Sequence, residues 1–255
     1  MLNTFEVVQT RLAEGRIPRF GPILMLAARS VFILLAQGIT LWLLTQFNVA
    51  NATVAVRNWW TVYGTLADIG CLGLLIWLTG REGLRLRDLV GLVKARLKKE
   101  IPLGLGLFIA IFPVTILGGG LLGRLIAYGS LNVAFPDYTF ARSLPLLAVL
   151  YSRLLWWPIW SVTEEMTYNG YALPRLVAMT KTRWLPVAVV SFFFALQHSF
   201  LMLAGLRFGF YSFITFLPLT IVMEIVYLRI RRLPPFIVAH WLMDLSSVLF
   251  LLQIG

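Results

Sequence analysis

The side chains whose types and spacing can do chemistry are few. They are the adjacent carboxylates Glu164 and Glu165, the chain's two histidines His198 and His240, and Asp244, four residues after His240. All five lie inside or beside long apolar runs. An ionisable side chain at mid-depth in a bilayer costs ~2.5–3.5 kcal/mol or more, so its presence there points to function. Adjacent carboxylates on a helix point about 100° apart. One of the pair can therefore act as a general base while the other positions it or a partner group. His240 and Asp244 share a helix face, so Asp244 can accept from one imidazole nitrogen and fix the tautomer of the other. Phe194 and His198 share a face in the same way. A purely structural alternative pairs the two glutamates with Arg153 or Arg124.

The elements that must position these groups are apolar helices. The chain has 255 residues, 59% of them hydrophobic and only 13% charged, with mean hydropathy +0.83. A soluble domain carries about twice that charged fraction. Repeated runs of about 20 apolar residues predict an all-α, polytopic transmembrane bundle of about seven spans plus amphipathic surface helices. No polar linker divides it, so one membrane domain over residues 1–255 is expected, with N-terminal spans over 1–142 and a chemical core over 143–255. The expected spans are 23–47, 61–79, 101–128, 144–174, 184–203, 208–228 and a last one from Pro235. Pro113 and Gly118–Gly120 predict a kink, a hinge or a close helix contact in the third. Arg29 is expected to snorkel to the interface. Asp68 has no partner that sequence alone can name. Glu224 is expected to pair near the interface with Arg229 or Arg231. Cys71 stands alone and reads as a structural thiol.

The net charge of +11 invites a nucleic-acid reading. The basic residues instead fall mostly in short loops between apolar runs, which favours contact with membrane lipid and no nucleic acid. The N-terminal segment and the loops after spans two, four and six hold three or more Lys and Arg each, whereas the alternate loops hold one each. This asymmetry predicts a multi-pass integral membrane protein with its N-terminus cytoplasmic, in the inner membrane if the chain is bacterial. Residues 5–12 suit an amphipathic surface helix with Arg11, Arg16 and Arg19 on its polar side. The basic stretch from Arg81 to Glu100 reads as a second such helix or a solvated loop. Counting about 1.5 Å per residue from the inner ends puts the acidic pair roughly 13–15 Å deep, His198 about 20 Å and His240 about 8 Å. Three helices can then converge on one buried polar site, expected to face the cytoplasm.

Glu164-Glu165, then Phe194-x-x-x-His198, then His240-x-x-x-Asp244, on successive spans, resemble the motifs of the CPBP family of intramembrane proteases. That family includes the type II CAAX prenyl endopeptidases and the bacterial Abi proteins. The resemblance covers about residues 145–250. The family's first motif usually ends in Arg, and this chain has Asn169 there. The resemblance implies peptide-bond hydrolysis inside the membrane. Glu164 or Glu165, with His198, would activate a water, and His240, oriented by Asp244, would polarise the scissile carbonyl. Asn169 and Phe194 would lie on the substrate side. The partner implied is a membrane-anchored or apolar peptide.

Two other readings compete: a non-catalytic binding or immunity protein, favoured by Asn169, and a transporter whose charges line a path. No cofactor is favoured. Zn²⁺ held by Glu165, His198 and His240 is the alternative, because two histidines and a carboxylate form a common catalytic zinc set. Against it, the three residues sit on separate spans without the His-Glu-x-x-His spacing that presets two ligands on one helix face.

Overall fold

A computed structural model describes residues 3–133, 144–201 and 205–251. The expected loop from Gly129 to Arg142 therefore lies largely outside the described residues. Nine helices carry the described fold: α1 (Phe5–Ala13), α2 (Gly21–Gln46), α3 (Ala52–Arg81), α4 (Leu86–Val90), α5 (97–128), α6 (146–180), α7 (Trp184–Phe200), α8 (Leu206–Ile230) and α9 (Pro234–Leu251). Among the described residues there is no strand. The protein is an all-α integral membrane bundle. Four stretches are long and apolar enough to cross a bilayer: α2, α3, Leu86–Tyr128 (which holds α5) and α8. α7 is apolar but has only 17 residues. Length and apolarity thus support four crossings outright, and the polar cluster sits largely on the remaining helices α6, α7 and α9.

The expected kink in the third span is a π-helical segment, Val114–Gly120, directly after Pro113. Proline removes a ladder hydrogen bond, and a wider turn absorbs the mismatch. Its glycines let α5 approach α8 closely: a Cβ at Gly119 would collide with the Thr215 backbone carbonyl. Further along, a Cβ at Gly104 would lie 2.6 Å from Val238 Cβ on α9. α6 contains two more π segments, Ser152–Trp156 and Met166–Ala172. The second follows Glu165 without a break, and π segments occur often at functional sites. Both halves of the chain share one core, in which Met25, Cys71 and Leu75 join Tyr168, Phe194, Met223 and Phe236. Cys71 is buried there as a free thiol.

Two expected surface elements differ. Arg81 to Glu100 is not one amphipathic helix. Gly83 and Gly91 adopt left-handed φ of 72° and 61°, which ends α3 and α4, and Glu82, Leu84 and Leu89 turn inward. α1 docks rather than floats. Val8 is fully buried, and Arg11, expected on the polar side, is buried and donates to Glu82 at 3.3 Å. Glu82 also accepts both arms of Arg175, at 2.7 Å each. A bidentate pair of this kind fixes geometry as well as charge.

The glycine contacts make a clean comparison. Gly119→Ala is expected to lose about 1–3 kcal/mol of stability through overpacking. Gly106→Ala, with nothing within 4 Å of its Cβ, is expected to be neutral or stabilising. Thermal unfolding of both proteins in detergent reads the difference; equal midpoints would mean that α5 and α8 do not touch at Gly119.

Candidate active site

The acidic pair opens in two directions, as the helix phase requires. Glu164 faces α2 and α7: its Oε1 accepts from Arg29 Nη2 at 3.2 Å and from Gln197 Nε2 at 2.7 Å. Glu165 faces α9: its Oε1 lies 3.0 Å from His240 Nδ1, and its Oε2 accepts from Asn169 Nδ2 at 2.8 Å. His240 straddles the pair, with Nε2 3.4 Å from Glu164 Oε2. That contact is too poorly aligned for a hydrogen bond, and Glu164 Oε2 is a buried oxygen without a hydrogen-bond partner. Both glutamates are at most 1% exposed.

Arg29 does not snorkel. It is fully buried and reaches four groups: Glu164, Asp68 Oδ1 at 2.9 Å, Gln197 Oε1 at 2.6 Å, and the face of Trp160 at 4.4 Å. Asp68 thereby gains its partner. Arg29, rather than Arg153 or Arg124, supplies the cation at the acidic pair. A charge without water must be paired inside the protein, and here one guanidinium meets acceptors from α3, α6 and α7.

Asp244 differs from expectation. Its Oδ2 is 3.6 Å from His240 Nε2, beyond a hydrogen bond, and accepts instead from the Ser161 hydroxyl. Glu165, not Asp244, holds the imidazole. His198 does not hydrogen-bond either glutamate. Its ring stacks on Phe216 at 3.7 Å and on Phe194 at 5.0 Å, and Nδ1 lies 2.8 Å from the Phe194 carbonyl. A carbonyl only accepts, so Nδ1 carries the proton and neutral His198 presents Nε2 as an acceptor. His198, His240 and Asp244 line one cavity of about 670 Å³, walled by Trp160, Phe194 and Phe216 among others. Glu224 is not paired at the interface: it is buried, accepts from Ser191 at 3.0 Å, and leaves its other oxygen unpartnered.

The zinc alternative does not fit this geometry. Among the described residues no group of three His, Cys, Asp or Glu is placed to hold an ion.

Residues 145–246 match the family model of the type II CAAX prenyl endopeptidase, Rce1-like. This stretch is similar to the Rce1-like domain of that family. The domain holds both glutamates, Asn169, Phe194, both histidines and Asp244. Arg29 and Asp68 lie outside it. No curated protein and no solved structure matches the chain. Sequence reasoning missed Arg29, Asp68, Gln197 and Ser161 as parts of the cluster. Two opposite charges on neighbouring apolar spans, and a hydroxyl one turn before Glu165, were the available signals.

Removing one member of a buried ion pair typically costs about 3–5 kcal/mol, because the other charge is left uncompensated. Arg29→Leu is therefore expected to lower the thermal midpoint in detergent by more than Asp68→Asn, since it strips Glu164 as well. An Arg29→Leu protein as stable as the parent would show that the guanidinium is not the hub.

Proposed function

We propose that this protein is an intramembrane endopeptidase that hydrolyses a peptide bond in a membrane-presented substrate. The observation that carries the reading is the unpartnered Glu164 Oε2 beside His240 Nε2, in the Rce1-like domain, next to an apolar cavity. A water placed between Glu164 and His198 would give one proton to Glu164 Oε2 while His198 Nε2 accepts its other hydrogen bond. The hydroxide oxygen attacks the scissile carbonyl carbon. His240 in its doubly protonated form donates from Nδ1 to Glu165 and from Nε2 to the developing oxyanion. Glu164 then returns its proton to the leaving amine as the C–N bond breaks. Asn169 and Arg29 orient the two carboxylates. The route uses no metal. A substrate held by a lipid anchor or an apolar segment suits the cavity, and the prenylated peptides named by the matching family are one such class. The basic ends of the helices are taken as cytoplasmic, by the loop-charge asymmetry.

Asn169 in place of Arg is the one feature that favours a catalytically silent binding protein. Its hydrogen bond to Glu165 supports the enzymatic reading, because that carboxylate keeps its orientation without the guanidinium.

The test compares protein termini in membranes from cells expressing the parent chain and Glu164→Gln. New termini are expected with the parent and not with the variant; identical sets would refute the reading. With a substrate in hand, Glu164→Gln, His198→Ala and His240→Ala are each expected to lose about 10²–10⁴-fold in rate while still inserting. Asp244→Asn, which keeps an acceptor for Ser161, is expected to stay within about tenfold, since one neutral hydrogen bond is worth ~1 kcal/mol. Elemental analysis of active protein checks the metal-free route. Stoichiometric zinc, with cleavage lost on its removal and restored on its return, would overturn that part.

A further inference from the structure

The basic end of the bundle holds a second cavity, of about 370 Å³. It shares no lining residue with the cavity on His198 and His240. Its size suits a small ligand group, since such pockets run from about 300 to 1,000 Å³. Its walls come from α1, the segment joining α4 to α5, α6, the residue before α7, and the turn between α8 and α9.

The lining combines cations with apolar side chains. Four arginines, Arg96, Arg183, Arg231 and Arg232, stand against two carboxylates, Glu6 and Asp88. Part of this charge is used internally. Arg232 donates to Glu100 at 2.7 Å, and Asp88 accepts from the Arg85 backbone N–H at 2.8 Å. The Arg231 guanidinium lies over the Phe5 ring at 5.1 Å. Arg231 ends α8 with a left-handed φ of 52°, where a side chain is strained and glycine is not. The side chains of Arg96 and Arg183 are exposed and make no hydrogen bond or ion pair among the described residues. The apolar part of the wall, which includes Leu89, Val177 and Leu233, is buried.

The surroundings of the rim point to the source of the ligand. Arg183 is followed at once by Trp184 and Leu185, which are 71% and 55% exposed. Arg96 lies between the exposed Leu92 and Ile101. Large apolar side chains that project from the end of a membrane helix meet lipid, and tryptophan collects at headgroup depth. Guanidinium groups at that depth reach lipid phosphates, which they bind through paired N–H donors. A zwitterionic head brings a cation of its own into a cavity already basic, so an anionic head is preferred.

We propose that this cavity is a binding site for the headgroup of an anionic phospholipid. Arg96 and Arg183 donate to its phosphate, Arg231 adds charge, and the buried apolar wall takes the glycerol end of the acyl chains. The site does not depend on the endopeptidase reading. Its occupant touches elements remote in sequence, so occupancy stabilises the fold by mass action.

The test heats the full-length protein in a neutral detergent with phosphatidylglycerol or phosphatidylcholine added at equal mole fraction. Phosphatidylglycerol is expected to raise the unfolding midpoint by about 3–8 °C, and phosphatidylcholine by less than half as much. Arg96→Gln with Arg183→Gln keeps much of each apolar stem and loses no internal partner, so the lipid-free midpoint is expected to stay unchanged. Its phosphatidylglycerol shift is expected to fall by at least half. Lys98→Gln with Lys99→Gln removes the same charge from exposed positions outside the lining, and is expected to keep the shift. An equal shift from both lipids, a shift retained by the arginine variant, or an equal loss in the lysine variant would each overturn the site. Glycerol phosphate in place of lipid separates the sources: a shift equal to that of phosphatidylglycerol at the same concentration would overturn a lipid occupant. If the double arginine variant does not accumulate, Arg183→Gln alone takes its place, with the same outcomes.

Discussion

A guanidinium that cannot reach water must find all its acceptors inside the protein, and Arg29 is that group here. The low-dielectric interior strengthens each contact it makes and raises the cost of each one lost. Arg29 is fully buried on α2 and draws Asp68 from α3, Glu164 from α6 and Gln197 from α7 to one point. Four helices are thereby fixed in rotation as well as position, a constraint that apolar side chains alone supply weakly. Apolar contacts between membrane helices gain little over contacts with lipid, so polar pairs specify which faces meet. The chemical consequence is local. With Oε1 of Glu164 held by Arg29 and Gln197, Oε2 is the free oxygen, and it lies beside His240.

The other glutamate is fixed by a second anchor further along the same helix. The π segment Met166–Ala172 starts where Glu165 ends, and its far side is clamped. Arg175 donates to the Tyr171 carbonyl at 2.9 Å, lies 4.0 Å over the Tyr171 ring, and pairs with Glu82. Asn3 donates to the Gly170 carbonyl at 2.7 Å. A π segment frees carbonyls that an α-helix would use, and these side chains satisfy two of them. The N-terminal residues, remote in sequence from the acidic pair, therefore help to set the direction in which Asn169 and Glu165 point. Both anchors come in part from residues outside the stretch that matches the Rce1-like family model.

Which polar residues stand out in the apolar runs was legible in the sequence; how they meet was not. Ionisable groups in apolar runs stand out by their cost, so both glutamates, both histidines and Asp244 could be picked without a structure. Helix rotation could not be read, because helices that are apolar almost all round carry little phase information. Arg29 was mistaken for an interfacial residue since its span was begun two residues late and its partner Asp68 had no evident direction. Glu224 and Arg229 were paired by closeness in sequence. Five residues apart on a helix they point about 140° apart, and Glu224 turns inward to Ser191 instead. The basic stretch after α3 has the composition of an amphipathic helix, yet two left-handed glycines break it. The assignment of Asp244 as the holder of His240 followed from a shared helix face. It lost to Glu165, which reaches the imidazole at 3.0 Å from across the interface.

The substitution at Asn169 takes on a different meaning with these contacts in place. Read along the sequence, a motif without its arginine lacks the guanidinium expected one turn after Glu165. In the fold the cation arrives from α2 and, of the two glutamates, pairs with Glu164. Glu165 receives a neutral amide from Asn169 and the imidazole of His240. The two glutamates therefore sit in different electrostatic environments, although they are neighbours in the chain. A guanidinium withdraws more electron density from a carboxylate than an amide does, since hydrogen bonds from charged donors are roughly twice as strong as neutral ones. With only the amide beside it, Glu165 keeps more of its negative charge for the imidazole N–H, the direction that holds His240 in place. Glu164 is pinned by charge through one oxygen and leaves the other without a hydrogen-bond partner. The departure from the family pattern is thus accompanied by different partners for the two carboxylates, charged and amide donors for Glu164, an amide and an imidazole for Glu165.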